Sequence, residues 1–136
     1  MLKERHSVTS FLESENEILI LQRSQHVSTS RGKWGGVSGN VEADSTADEQ
    51  ALVEIEEETG LSREDVALVR KGEPMRIYDE RFDLTKVIHP YLFHIEDRSK
   101  IRIDWEHTQV RWIKPDDMGN YDTMPRLKET LARVLV

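Results

Sequence analysis

The chain has 136 residues, a net charge of −7 and no cysteine. That length suits one domain with one core, residues 1–136, and the missing thiols exclude disulfide bonds and thiolate metal ligation. The acidic balance, with no basic stripe, argues against duplex nucleic acid as a partner. The longest apolar run, Ile18 to Leu21, is far too short to cross a bilayer, so no membrane association is expected. Met1-Leu2-Lys3-Glu4-Arg5 leads into a polar stretch with no apolar signal core, which fits the cytoplasm.

Ser7 to Leu12 alternates weakly and reads as a strand. Ser14-Glu15-Asn16 reads as a turn, and the Ile- and Leu-rich Glu17 to Gln22 as a buried strand, so the two runs form a hairpin. Arg23 to Lys33 is a polar loop. Trp34 to Glu42 carries three glycines, which weaken a regular strand and let backbone approach a ligand closely. The clearest helix follows. Thr46 and Glu49 have the capping-box spacing, acids fill the first turn, and Ala47, Ala51 and Ile55 form an apolar stripe widened by Leu52. Gly60 suits a left-handed cap at its end.

Beyond the helix, Ser62 to Asp65 reads as a short turn, and Val66 to Val69 and Met75 to Tyr78 as strands. Thr85 to Ile95 is a longer strand with Val87, His89, Tyr91, Phe93 and Ile95 on one face, and Pro90 argues for an edge position or a bulge. Gln109 to Ile113 is a further strand, and Lys114 to Met118 a single helical turn. Pro125 to Leu135 is an amphipathic helix with Leu127, Leu131, Val134 and Leu135 inward. Helices interleaved with many short strands give a mixed α/β domain.

The chemistry concentrates at the end of the first helix. Glu54, Glu57 and Glu58 are spaced i, i+3 and i+4 and so share a face, whereas Glu56 points elsewhere. Like charges at this spacing repel by roughly 0.2–0.5 kcal/mol per pair, and the helix dipole disfavours anions at this end. No basic residue lies between positions 47 and 61. A hard divalent cation would relieve both penalties, and oxygen-only ligands suit Mg²⁺, or Mn²⁺, rather than Zn²⁺. A solvated acidic face is the competing reading of a bare acidic run.

Gly39 through Leu61 resembles the Nudix box, written G-x5-E-x7-R-E-U-x-E-E-x-G-U with U apolar. Gly39, Glu54, Ile55, Glu57, Glu58, Gly60 and Leu61 fall on the pattern without a gap, so seven of nine specified positions agree. Ser45 stands where the pattern has its first Glu and Val53 where it has Arg, and Val37-Ser38 replaces the usual Pro-Gly before Gly39. In the family the charged pair helps orient the metal-binding glutamates. Here both signs are lost together, so Ser45 is expected to help cap the helix and Val53 to pack against a neighbour.

The resemblance implies an α/β/α sandwich around a mixed sheet, with the box as loop–helix–loop. It implies Mg²⁺ held by Glu54, Glu57, Glu58 and the carbonyl of Gly39, with Glu106 as a further acid from a later loop. It implies hydrolysis of a phosphoanhydride in a nucleoside diphosphate linked to another moiety, with Glu57, Glu58 and Glu106 in the catalytic set and Glu58 or Glu106 as base. Arg23, Arg31 and Lys33 precede the glycine turn and are candidate phosphate ligands. Phe82 and Trp105 are the better stacking candidates, while Trp34 is expected to pack under the turn. The five histidines, at 6, 26, 89, 94 and 107, form no paired metal motif and read as structural or exposed, His107 being set apart by adjoining Glu106. Homodimers are frequent in the family. A non-catalytic nucleotide sensor on the same fold is the alternative. An isoprenoid-diphosphate isomerase relies on a cysteine that this chain lacks.

Overall fold

The computed structural model describes residues 3–135. Strand β1 (Lys3–Ser14) and strand β2 (Glu17–Arg23) form the expected hairpin. Its two-residue turn places Glu15 at φ 51° and Asn16 at φ 63°, the paired left-handed geometry that matches the twist of a tight hairpin. The two strands pair only at Glu13↔Ile18 and Ser14↔Glu17 and then diverge. Into the gap runs β4 (Val37–Asn40), antiparallel to β1 with Val8 opposite Gly39. The glycine-rich segment is thus mostly strand, since β3 (Trp34–Gly35) pairs with β2.

On its other side β1 runs parallel to β7 (Leu84–Ile95), from Lys3↔Leu84 to Glu13↔His94. β5 (Val66–Lys71) and β6 (Met75–Asp79) lie antiparallel to β7, and β8 (His107–Ile113) antiparallel to β2. One parallel pair among antiparallel ones makes the sheet mixed. Strand β7 is therefore central, which corrects the edge position inferred from Pro90. The proline is accommodated because β6 ends its pairing at Ile88 and β5 begins at Tyr91. The Pro90 carbonyl accepts from the Gly72 N–H at 3.0 Å, so the missing Pro90 donor faces the link between two partner strands.

Period-2 alternation sends side chains to two cores. Val8, Leu12, Leu19, Leu21, Tyr91 and Phe93 meet Ala51 and Ile55 of helix α1 (Ala47–Thr59) on one face. Phe11, Ile18, Ile20, Trp34 and Leu92 meet Leu127, Leu131 and Val134 on the other, against helix α2 (Leu127–Ala132). The result is the α/β/α sandwich expected from sequence. Trp34 is core, edge-on to Tyr121 at 5.5 Å. The last helix begins at Leu127 rather than Pro125 because Arg126 at φ 63° breaks the helical backbone there, and it closes at Ala132, short of Val134 and Leu135.

Thr46 caps α1, its hydroxyl accepting from the Glu49 N–H at 3.2 Å. The reciprocal half of the capping box is absent, since the Glu49 carboxylate pairs with Arg63. Ser45 does not cap either: its hydroxyl donates to the Thr46 carbonyl at 3.1 Å. Val53 is 42% exposed and packs into neither core, because it lies on the far side of the helix from Ala51 and Ile55. Among the described residues no helix is long and apolar enough to cross a membrane.

Thr46→Ala is accordingly expected to cost about 1 kcal/mol of stability and Ser45→Ala less than about 0.5 kcal/mol, read from urea unfolding midpoints at constant m. Equal losses in the two variants would show that Thr46 is not the cap.

Candidate active site

The last two turns of α1 carry the glutamates, and Gly60 closes the helix at φ 76° with its N–H donating to the Glu56 carbonyl. Glu58 is buried at 4% exposure, Glu54 is half-buried and Glu57 is exposed. Glu54 projects onto β4, where a Cβ on Gly39 would lie 2.1 Å from the Glu54 Oε1 and 2.3 Å from its carboxyl carbon. Gly39 is needed there for close approach rather than for an unusual φ. The buried Gln50 holds the same carboxylate, its Nε2 donating to Glu54 Oε1 at 3.2 Å while its Oε1 accepts from the Glu42 N–H at 3.1 Å.

No lysine or arginine forms an ion pair with Glu54, Glu57, Glu58 or Glu106 among the described residues. The electrostatics follow. Burial, then the adjacent Glu54 carboxylate, then Asp104 and Glu106, push the Glu58 carboxyl up to about 10 from an ordinary 4.5. Burial also raises Glu54, with Glu57 and Glu106 adding to the shift and hydrogen bonds from Glu58 and Gln50 opposing it. Uncompensated carboxylates around a glycine-floored notch form an oxygen-only donor set that fits a hard divalent cation. Among the described residues no three such side chains already converge to ligate an ion.

Glu106 sits half-buried in the loop before β8, with its carbonyl accepting from the Ser24 N–H at 2.7 Å. It joins the acidic notch to a cavity of about 390 Å³ on the α2 face of the sheet. Gly39, Glu106 and Arg23 line that cavity, together with the small polar side chains of Ser7, Thr9 and Asn40. A larger, shallower cleft of about 490 Å³ beside His6 and Ser45 contains none of the four glutamates. The other candidates are dispersed. Arg31 donates to the Val27 carbonyl at 2.7 Å, and Lys33 pairs with Asp122 at 2.9 Å. Phe82, 66% exposed, lines a separate hollow with Lys3, Arg5 and Lys86, and Trp105, 68% exposed, precedes Glu106 in the chain but lines neither that hollow nor the 390 Å³ cavity.

Two residues at the site, Gln50 and Asp104, went unseen in the sequence. Gln50 precedes Glu54 by one helical turn on a helix whose other polar residues are mostly exposed, a spacing that could have flagged it. Asp104 left no such signal, while His107, set apart in the sequence by adjoining Glu106, is a buried ring 3.6 Å from Glu58, within the structural reading.

The NUDIX domain profile matches residues 3–134. The chain is 25% identical over 118 residues to a CTP pyrophosphohydrolase of Escherichia coli strain K12, covering 87% of this chain and 82% of that protein. In fold it resembles a MutT NUDIX hydrolase from Burkholderia pseudomallei, with a TM-score of 0.76, 22% identity and 98% and 99% of the two chains covered. A MutT protein from Methanosarcina mazei Go1 gives a TM-score of 0.74 at 22% identity, with 96% and 92% covered.

Two outcomes are expected. Without a divalent cation the folded chain holds a proton on Glu58 between its unfolded value of 4.5 and about 10, so stability falls as pH rises through that range. Thermal unfolding in chelator should show that decline flattened in Glu58→Gln; identical pH profiles in the two proteins would exclude the protonated buried carboxyl. Gly39→Ala should fold but displace the Glu54 carboxyl, and weaken Mn²⁺ binding measured by electron paramagnetic resonance. Unchanged Mn²⁺ binding would show that the Glu54–Gly39 contact does not shape the cation site.

Proposed function

The chain belongs to the Nudix family, and on that footing we propose that it is a Mg²⁺-dependent hydrolase of a phosphoanhydride bond in a small nucleoside-diphosphate derivative. Hydrolysis of phosphoanhydrides is the activity of such homologues, and the family generally uses divalent cations. The observation that carries the reading is the Glu54–Glu58 carboxyl pair, Glu54 against Gly39, with no lysine or arginine paired to it among the described residues, at the mouth of a nucleoside-sized cavity.

Glu54, Glu57, Glu58 and the Gly39 carbonyl would hold the ion, with Mn²⁺ as a substitute. When bound, the cation supplies neutralisation of charge on the diphosphate oxygens. Arg23, in the cavity wall with its Nε donating to the Thr29 carbonyl at 3.1 Å, contacts phosphate through its remaining N–H groups; Arg31 and Lys33, held by the Val27 carbonyl and Asp122, lie further from it. Trp105 stacks on the base, and Phe82 serves a substrate long enough to reach its separate hollow. Glu58 or Glu106 accepts a proton from water as the water oxygen bonds to one phosphorus. The anhydride P–O bond breaks, and the leaving group departs as a phosphate or phosphate ester. The catalytic set is thus Glu57, Glu58 and Glu106. A cytoplasmic location, a single domain over 1–136 and homodimeric assembly belong to the same reading.

The likeness to a CTP pyrophosphohydrolase puts CTP first in a panel that also contains sugar nucleotides, oxidised nucleotides and dinucleoside polyphosphates. Release of nucleoside monophosphate or phosphate should require Mg²⁺, and Glu57→Gln should lower it by about two orders of magnitude. No release from any member, with nucleotide binding unchanged in Glu57→Gln, would leave a sensor in place of an enzyme.

A further inference from the structure

Glu58 has a neighbour that the hydrolase reading does not use. His107, the first residue of β8, is buried with its side chain 4% exposed and its Nε2 3.6 Å from Glu58 Oε1, where the Glu58 side chain is 5% exposed. Its Nδ1 lies 2.8 Å from Asp104 Oδ1, and the Asp104 side chain is 16% exposed. A carboxylate only accepts, so Nδ1 carries the hydrogen and donates it to Asp104. That bond fixes the ring about its χ angles and turns Nε2 to Glu58. A hydrogen bond also returns from the His107 N–H to the Asp104 carbonyl at 3.3 Å, so the two residues form one closed turn.

At 3.6 Å the imidazole is a wall against Glu58 rather than a hydrogen-bond partner. A wall is needed there. Glu54 and Glu58 face one another with no basic side chain between them, and when both are ionised they repel. Removing the ring would open space beside Glu58, and repulsion from Glu54 would move the carboxylate out of its present place. A purely structural role is a poor account of the pair, because a buried imidazole–carboxylate couple stabilises a fold no better than well-packed apolar side chains.

We infer that Asp104 and His107 are a positioning pair: Asp104 locks the imidazole of His107, and the locked ring holds the Glu58 carboxylate beside Glu54, where a divalent cation takes both. This rests on the proposal that these glutamates hold the cation of a hydrolase. Neither residue touches substrate, and each acts through Glu58. The arrangement parallels the way outer groups orient ligands in metal sites generally, where their loss weakens binding or turnover by about 10–100-fold.

The test uses the full chain and two readouts, Mn²⁺ affinity by electron paramagnetic resonance and steady-state turnover of whichever substrate the panel yields. His107→Leu should weaken Mn²⁺ binding and lower kcat by about 10-fold or more, with KM within about twofold, while the Asp104 carboxylate left without its donor lowers chelator-state thermal stability. Asp104→Asn keeps an acceptor for Nδ1–H and should retain most of the wild-type affinity, whereas Asp104→Leu should match His107→Leu. The Asp104 pair decides the matter if His107→Leu does not fold. Mn²⁺ affinity and kcat within about twofold of wild type in His107→Leu, or Asp104→Asn as impaired as Asp104→Leu, would overturn the inference. A wild type that binds Mn²⁺ but hydrolyses nothing sinks the hydrolase reading alone, since the Mn²⁺ affinities still decide the positioning. A wild type with no Mn²⁺ affinity overturns both.

Discussion

Moving a carboxylate out of water costs several kcal/mol unless a positive partner compensates it. This chain buries Glu58 to 4% exposure, presses Glu54 against it and, among the described residues, pairs neither lysine nor arginine with them. Four separate parts of the fold converge to impose that arrangement. The divergence of β1 and β2 admits β4, which sets Gly39 under Glu54. Helix α1 brings the glutamates in at its C-terminal end, and the loop before β8 closes the notch with Asp104, Glu106 and His107. A site whose parts are so far apart in sequence depends on the whole sheet being formed.

Helix α1 tolerates this load because its stabilising features lie on other faces and at its ends. Acids near a helix C-terminus oppose the macrodipole, and this helix has no basic residue in its last turn. Against that stand the Thr46 cap, the left-handed Gly60 and the burial of Ala51 and Ile55, with exposures of 0% and 1%, in the core under the sheet. Full burial of an isoleucine alone contributes about 1.5–3 kcal/mol, several times the repulsion of one like-charged pair on an exposed helix. The apolar stripe that positions the helix therefore outweighs the acidic face that it presents.

What could be read in the sequence was what has a local period or a local turn. The hairpin at Glu15-Asn16, the α1 stripe and cap, and the alternation in β7 all follow from neighbours in the chain. What depended on distant partners was not legible. Pro90 looked like an edge residue because nothing local reveals that β5 and β6 share the edge of β7 and leave a gap opposite it. Arg31 and Lys33 lie close to the glycine turn along the chain, yet the loop turns them to Val27 and Asp122. The i, i+3, i+4 spacing grouped Glu54, Glu57 and Glu58, but the contact between Glu58 and His107 spans 49 positions and no periodicity encodes it.

Serine at 45 and valine at 53 raise the question of what aims the glutamates once an opposed pair of charges has gone. Val53 points to solvent, and the Ser45 hydroxyl is occupied by the Thr46 carbonyl, so neither residue reaches the notch through a hydrogen bond. A neutral amide holds Glu54 instead. Gln50 is one turn back on the same helix, is buried to 4% exposure, and uses both ends of its side chain, one on the Glu42 backbone N–H and the other on Glu54 Oε1. An arginine at the same contact would pull Glu54 toward its normal acidity and compete with a cation for it. The amide donates one hydrogen bond without adding charge, so it orients the carboxylate and leaves the negative charge available. With Gln50 on Glu54 and His107 against Glu58, the half-buried and the buried carboxyl are each held by a group that need carry no net charge.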